Sequence, residues 1–189
     1  GRFLAGACHA GGAEVTGLVG TSESTAADAR DGLARDFGID AKPYTDLSLA
    51  LQAEQPELVL LASPWQFHQQ QLELVASAGC HCLVEKPMLW PASEATAAEA
   101  VSAFAKRGLL LDVVGQWPFA LAQFEALHGT LPRTVDSFTM RLSPISIDDT
   151  MIPDAAPHFI SLLQALAGPG DFDNISVQRS AVGDQARLQ

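Results

Sequence analysis

The most informative part of the sequence is residues 80–87, which read Cys80-His81-Cys82-Leu83-Val84-Glu85-Lys86-Pro87. The first half is apolar and predicts a short strand. That strand ends abruptly in an ion-pair-capable Glu-Lys pair and a proline. A lysine at the carboxyl end of a strand lies where parallel α/β sheets bind their ligands. Lys86 is therefore the first candidate functional residue.

Strands alternate with helices on both sides of this stretch. The predicted strands are 14–19, 57–62, 81–84 and 109–114, and the predicted helices are 22–37, 46–55, 65–78 and 92–106. Ser22 or Ser24 is the expected N-cap of the first of these helices and Gly38 its C-cap, while Thr45 is the expected N-cap of the second. Helices of this length between strands predict right-handed crossovers and a doubly wound parallel sheet. We therefore expect a Rossmann-like domain over residues 1–117.

A second, smaller domain is predicted for residues 118–189. Its expected elements are a helix at 120–128, a one-face-covered strand at 134–142, a helix at 155–167 and a strand at 175–180. Asp154 is a natural N-cap for the second helix, and Pro157 fits its first turn. Asp154 and His158 are four residues apart and would share one helix face. A carboxylate, a histidine and Lys86 together would make a proton-transfer set.

Composition excludes several classes of partner. The net charge of -11 and the sequence pI near 4.6 argue against a nucleic-acid partner, because phosphate contacts need clustered Lys and Arg. No apolar run approaches the roughly 18 residues of a membrane span, so no membrane partner is expected. Three cysteines are too few for a disulfide framework. Strand alternation puts Cys80 and Cys82 on one face and His81 on the other, which indicates buried thiols rather than a metal site, in a reducing compartment such as the cytoplasm.

Three segments together resemble one family. Residues 62–68, residues 78–87, and residues 154–158 followed by Gly168 are similar in order and spacing to the Gfo/Idh/MocA family of glucose-fructose oxidoreductase and inositol dehydrogenase. The resemblance implies an α/β protein with an N-terminal Rossmann-like parallel-sheet domain and a C-terminal α/β domain built on an open, mostly antiparallel sheet. Members of the family are longer and have several strands after the histidine helix. We therefore expect the C-terminal sheet to be incomplete in this chain, as in a fragment or a sequence with omitted residues.

The resemblance also implies an activity and a set of roles. It implies an NAD(P)-dependent oxidoreductase that transfers a hydride between a nicotinamide cofactor and a sugar, cyclitol or related polyol. Lys86 would hydrogen-bond the reacting hydroxyl and the nicotinamide ribose, His158 would be the acid/base, and Asp154 would orient the substrate or the histidine. A homo-oligomer formed through the C-terminal sheet is expected, and no metal. The expected cofactor-binding residues are Gly1, Arg2, Phe3, Thr21, Ser22, Ser63, Pro64, His68, Glu85 and Lys86, with His68 at the cofactor edge or in a structural role.

Two segments depart from the dinucleotide-binding pattern. If Gly1 is the middle glycine of G-x-G-x-x-G, then Leu4 stands where the third small residue belongs. Either the first strand lies outside this chain or the phosphate site is degenerate. Gly20-Thr21-Ser22 stands where an acidic residue would bind the ribose of NAD. This favours NADP over NAD, although Arg30, the nearest downstream arginine, is about two helical turns away.

Alternatives to a dehydrogenase stay open at this point. A catalytically silent dinucleotide-binding or sensing protein is favoured by the irregular glycine segment. A cofactor-assisted lyase or glycosidase of the same fold is the third possibility. At the residue level, Lys86 could pair with a surface carboxylate, and Asp154 could act as a helix cap alone. Glu85 is expected to fix the turn after the strand.

Overall fold

The computed structural model describes residues 1–131, 134–143, 145, 146 and 148–170, together with the backbone of 177–179 and 186–188. The chain divides into two compact units, Gly1–Val113 and Val114–Gln189. Each unit is described by itself. The first contains the parallel strands, and the second contains the helix with Asp154 and His158.

All strand pairs in the first unit are parallel. One sheet pairs β1 with β2, and the other has the order β3-β4-β5. The strands are β1 (Gly17–Val19), β2 (Lys42–Tyr44), β3 (Leu58–Leu61), β4 (His81–Val84) and β5 (Leu111–Val113), and the helices are α1 (Arg2–Ala10), α2 (Glu23–Phe37), α3 (Leu47–Glu54), α4 (His68–Ser77) and α5 (Glu94–Ala105). A 3-10 turn, Trp65–Phe67, precedes α4. The predicted parallel α/β architecture is confirmed.

Local sequence signals explain the helix ends. Ser22 caps α2: its hydroxyl accepts from the Thr25 amide at 3.2 Å, and its own amide donates to the Thr25 hydroxyl at 2.9 Å. Gly38 ends the helix at a φ of 69°, a left-handed conformation that costs glycine little. The predicted cap of α3 at Thr45 is wrong. Asp46 holds that position, and its carboxylate accepts from the Leu49 amide at 2.9 Å.

The main core lies between the β3-β4-β5 sheet and helices α3, α4 and α5. Its most buried members are Leu72, Val75, Val84 and Phe104. Loss of a side chain of the size of Phe104 from such a core costs about 3–5 kcal/mol. The core therefore fixes the strand ends on which the candidate site lies.

Cys82 of β4 and Cys80, just before that strand, are part of this core. Cys80 and Cys82 are 3% and 2% exposed, whereas His81 faces the other way and accepts a hydrogen bond at Nδ1 from the Leu110 amide at 2.9 Å. The prediction of buried thiols is confirmed. Burial raises the pKa of the Cys82 thiol to about 12 and also raises the pKa of Cys80. Among the described residues, no three His, Cys, Asp or Glu side chains are grouped to hold a metal ion.

A polar cluster joins the start of the β1-β2 sheet to the end of α3. The Glu54 carboxylate accepts from the Tyr44 hydroxyl and from Lys42 Nζ, the latter at 3.0 Å. The Tyr44 hydrogen bond and then the Lys42 ammonium hold the pKa of Glu54 below its usual range. This cluster ties the last turn of α3 back to β2, the element that precedes it in the chain.

The second unit begins with the 3-10 turn Trp117–Ala120, which leads into α6 (Leu121–His128). The 3-10 turn Asp148–Thr150 precedes α7 (Met151–Ala167). The backbones of β6 (Val177–Arg179) and β7 (Ala186–Leu188) form an antiparallel pair. β6 lies within the predicted strand 175–180, whose residues 175, 176 and 180 are outside the described residues.

The predicted strand at 134–142 is wrong, because none of those residues is in a strand. Side-chain exposure still alternates over residues 138–142. The Phe138 ring packs against Phe159 of α7 with ring centroids 5.1 Å apart. Alternation records which side chains are covered, and here helix α7 covers Phe138 although residues 134–142 are not in a strand.

The predicted start of the last helix is also wrong. α7 begins at Met151, so Thr150 and not Asp154 holds the N-cap position. The Asp154 carboxylate in the first turn instead accepts from the Ser146 amide of the preceding loop at 3.2 Å. Pro157 lies inside the helix rather than in its first turn. None of the described helices is long and apolar enough to cross a membrane.

Candidate functional site

The carboxyl ends of β3 and β4 lie side by side. Leu61 pairs with Val84, and the Glu85 amide donates to the Leu61 carbonyl at 2.8 Å. This bond extends the β3–β4 pairing to Glu85, whose expected role in fixing the turn stays a prediction. Ser63 and Pro64 follow the end of β3, and Lys86 follows the end of β4. The fold therefore brings two of the predicted cofactor-binding segments and Lys86 to one edge of the sheet.

The amino end of α1 is at the same edge. Gly1 is in the N-cap position, and a Cβ placed on it would lie 3.2 Å from Cβ of Ala62, the residue after β3. Gly1 has no side chain that could cap the first turn of α1. Uncapped amides at a helix amino end are a suitable site for an anion such as a phosphate. This geometry fits the pyrophosphate of a dinucleotide.

Arg2 and Phe3 follow Gly1 in the first turn of α1. The Arg2 guanidinium lies 3.1 Å from the Asp36 carboxylate of α2, and its Cζ is 5.8 Å from the centroid of the Phe3 ring. Phe3 is 78% exposed. The predicted roles of these two residues toward a cofactor stay predictions.

His68 connects the two loops at the edge of the sheet. It is fully buried at the start of α4, with Nε2 2.9 Å from the Ser63 carbonyl oxygen. Nδ1 lies 3.0 Å and 3.1 Å from the carbonyl oxygens of Pro87 and Met88. Sequence reasoning selected the residue but missed these bonds, because they join segments about 20 residues apart.

The end of β1 carries Gly20, Thr21 and Ser22. A Cβ on Gly20 would lie 2.5 Å from the Ala26 backbone nitrogen, so the strand end packs directly on the first turn of α2. Sequence reasoning noted the missing acid here but not this packing requirement. The hydroxyls of Thr21 and Ser22 are exposed at the amino end of α2. Arg30, farther along the helix, is 2.7 Å from Asp31.

The glycine within α1 is Gly6, two residues after Leu4. A Cβ on Gly6 would lie 2.5 Å from the Phe37 ring of α2, so α1 and α2 approach closely at this glycine. The sequence feature that could have predicted this contact is a glycine within an amphipathic helical pattern, which often marks close packing. Gly6 therefore serves helix packing, while Leu4 is half-buried.

Asp154 and His158 lie in the second unit, on α7. They are one turn apart and both half-buried, as the spacing predicts. The Trp117 and His158 rings meet edge to face with centroids 6.3 Å apart, and the Ser161 hydroxyl donates to the His158 carbonyl at 3.1 Å. Trp117 thus forms a wall beside the histidine.

A family model described as an oxidoreductase family with an NAD-binding Rossmann fold matches residues 2–114. The chain belongs to the Gfo/Idh/MocA oxidoreductase family. The predicted family and the Rossmann-like character of the first domain are confirmed. A search of curated proteins gives no significant match.

Solved structures share the fold of this Gfo/Idh/MocA chain. The WlbA dehydrogenase from Bordetella pertussis, in complex with NADH and UDP-GlcNAcA, is 20% identical with a TM-score of 0.63; the match covers 100% of this chain and 61% of that one. Levoglucosan dehydrogenase, in complex with NADH and levoglucosan, is 19% identical with a TM-score of 0.63, covering 89% and 48%. An NAD binding oxidoreductase from Klebsiella pneumoniae is 19% identical with a TM-score of 0.61, covering 93% and 51%. The chain thus spans about half to three fifths of their lengths.

Proposed function

We propose that the protein is an NAD(P)-dependent oxidoreductase that transfers a hydride between a nicotinamide cofactor and a sugar, cyclitol or related polyol. The observation that carries the proposal is the position of Lys86. It follows β4 at the ligand-binding edge of a parallel sheet, within the segment that matches the NAD-binding family. The sugar-derived ligands named for two structures of the same fold support the substrate class.

The first unit would hold the dinucleotide at the edge where the ends of β3 and β4 meet the amino end of α1. The uncapped amino end of α1 at Gly1 would hold the pyrophosphate, with Arg2 and Phe3 beside it. Ser63 and Pro64 after β3, and Glu85 and Lys86 after β4, would line the nicotinamide half. A bound nicotinamide cofactor would supply the hydride acceptor or donor.

The residues of this chain would then manage the charge and the proton of the substrate hydroxyl. The Lys86 ammonium would hydrogen-bond that hydroxyl and stabilise the negative charge that develops on its oxygen. The His158 imidazole would accept the proton on oxidation and return it on reduction. The Asp154 carboxylate would orient the substrate or the histidine.

NADP is the proposed preference over NAD. Gly20 occupies the strand end where an acidic residue would bind the ribose of NAD, and its packing on Ala26 leaves no room for a side chain. The Thr21 and Ser22 hydroxyls at the amino end of α2 could donate hydrogen bonds to a 2′-phosphate, which the helix dipole also favours. Arg30 is in an ion pair with Asp31, so the hydroxyls support this preference more than the arginine does.

The test is titration of the full-length protein with NADPH and NADH, followed by nicotinamide fluorescence. Micromolar binding is expected, with NADPH the tighter ligand. Tighter binding of NADH would contradict the cofactor preference alone. No binding of either nucleotide would overturn the oxidoreductase proposal.

A second candidate is a protein that binds a dinucleotide without turnover. The irregular segment Gly1-Arg2-Phe3-Leu4 favours it, because it departs from the phosphate-binding fingerprint. A turnover assay with myo-inositol, glucose, levoglucosan and UDP-GlcNAcA separates the two candidates. Cofactor reduction by any of these supports the oxidoreductase, and binding without reduction supports the silent protein. Product formation without net cofactor reduction would instead indicate a cofactor-assisted lyase or glycosidase.

A further inference from the structure

His68 has hydrogen-bond partners on both sides of its ring. The Ser63 carbonyl lies beside Nε2, and the Pro87 and Met88 carbonyls lie beside Nδ1. Carbonyl oxygens only accept hydrogen bonds, so the ring must act as the donor. A neutral imidazole can donate to one side at a time, whereas an imidazolium can donate to both.

The ring is rigidly anchored. His68 is the first residue of α4, whose next turns place Leu72 and Val75 in the core with at most 1% exposure. Met88 packs against the same core. The ring therefore connects a helix fixed by the core to the two loops that end β3 and β4.

A simple core-filling role does not account for this arrangement. A buried imidazole is costly unless it is hydrogen-bonded, and an apolar side chain would fill the same space without that cost. The bonds go to backbone carbonyls, which are present whatever the loop sequence. Unlike an apolar side chain, the imidazole can fix the backbone of the loops that follow β3 and β4 by hydrogen bonding to their carbonyl groups.

We propose that His68 is a positioning residue that holds the loop carrying Lys86 against the end of β3. Lys86 immediately precedes Pro87, so a displaced Pro87 carbonyl moves the lysine backbone with it. A misplacement of about 1 Å can cost roughly 100-fold in rate. The importance of Lys86 for catalysis rests on the proposed function, but the connection between the loops does not.

Two substitutions separate the two sides of the ring. The carboxamide nitrogen of asparagine is as many bonds from Cβ as Nδ1 of histidine, and that of glutamine as many as Nε2. His68→Asn therefore keeps a donor for the Pro87 and Met88 carbonyls. His68→Gln keeps one only for the Ser63 carbonyl. Val75→Ala is the matched control, because it truncates an equally buried side chain of the same helix and leaves the His68 ring in place.

The readout follows Lys86 directly and requires no turnover. The chain has three lysines, Lys42, Lys86 and Lys106, so reductive ¹³C-methylation gives three assignable lysine signals. His68→Gln is expected to shift the Lys86 signal and leave the other two in place. His68→Asn should keep the Lys86 signal close to that of the wild type, and Val75→Ala should shift none selectively.

The outcomes are decisive in either direction. An unmoved Lys86 signal in His68→Gln overturns the proposal, as does an equal shift in Val75→Ala or in all three lysines. If neither variant folds, the ¹⁵N-histidine spectrum of the wild-type protein decides. A ring N–H of His68 that exchanges slowly supports the hydrogen bonds, and one that exchanges rapidly overturns them. Kinetics on the sugar panel are a separate experiment, in which His68→Gln is expected to have a kcat about 10- to 100-fold lower than the wild type. If the wild type and all variants are inactive on the panel, that result counts against the proposed function and not against the role of His68.

Discussion

Replacing Gly20 with alanine is expected to destabilise the protein although it adds a single methyl group. The new Cβ would lie 2.5 Å from the Ala26 nitrogen and 2.7 Å from the Ala26 Cα. Both are backbone atoms of the first turn of α2 and cannot rotate away. Overpacking of this kind costs about 1–3 kcal/mol. Reduced freedom of the unfolded chain offsets roughly 0.4–1 kcal/mol. Because contacts this short with backbone atoms belong to the upper half of that range, about 2–3 kcal/mol, the net loss is about 1–2.6 kcal/mol, or roughly 2–10 °C in Tm for a chain of this size.

Urea unfolding followed by far-UV circular dichroism measures this loss. Gly11→Ala is the matched control in the same unit, because Gly11 has an ordinary φ of -79° and the nearest atom to its Cβ position is the Cys8 carbonyl oxygen at 3.3 Å. The control should unfold within about 0.5 kcal/mol of the wild type. The reasoning is refuted if Gly20→Ala matches the control. Gly20→Asp, the obvious change for favouring NAD, should be at least as unstable.

Three further predictions concern catalysis, acid stability and thiol reactivity. Lys86→Met should lower turnover on the sugar panel by at least about 100-fold, with NADPH binding retained. The control Lys106→Met, at the exposed end of α5, should change neither turnover nor NADPH binding. Full activity of Lys86→Met would contradict the catalytic role of this lysine. The pKa of Glu54 is lower in the folded protein than in the unfolded chain, so the ionised carboxylate stabilises the folded state. This contribution to the free energy of unfolding is complete above a pH of about 4.3. It is lost as the pH falls through the lowered pKa. The difference in urea midpoint between Glu54→Gln and wild type should therefore be larger at pH 7 than at pH 3, and a constant difference would contradict the linkage. Iodoacetamide should label Cys8 alone in the native protein, because Cys80 and Cys82 are buried and have raised pKa values. Rapid labelling of Cys82, detected by mass spectrometry, would contradict this.

Features with short-range causes were predictable from the sequence. The Ser22 cap and the Gly38 stop of α2 depend on hydrogen bonds and backbone angles within a few residues. The alternation of Cys80, His81 and Cys82 follows from the two-residue period of a strand. The position of Lys86 at the end of β4 follows from the same run. The family could also be named at this level, because its motifs are contiguous segments in a fixed order.

Features that depend on which segments meet were not predictable. The alternation at 134–142 indicates a covered face, but whether a strand or a helix supplies the cover is a long-range matter, and here Phe138 packs on α7. Asp154 looks like a cap, yet its carboxylate is bonded to the Ser146 amide. The sequence by itself determined the parallel α/β class, most helix ends and the place of Lys86 just after β4. Only the tertiary structure decided that the His68 ring lies between carbonyl oxygens of two loops and that Gly20 must lack a side chain. Both depend on distances between segments that the chain brings together only when folded.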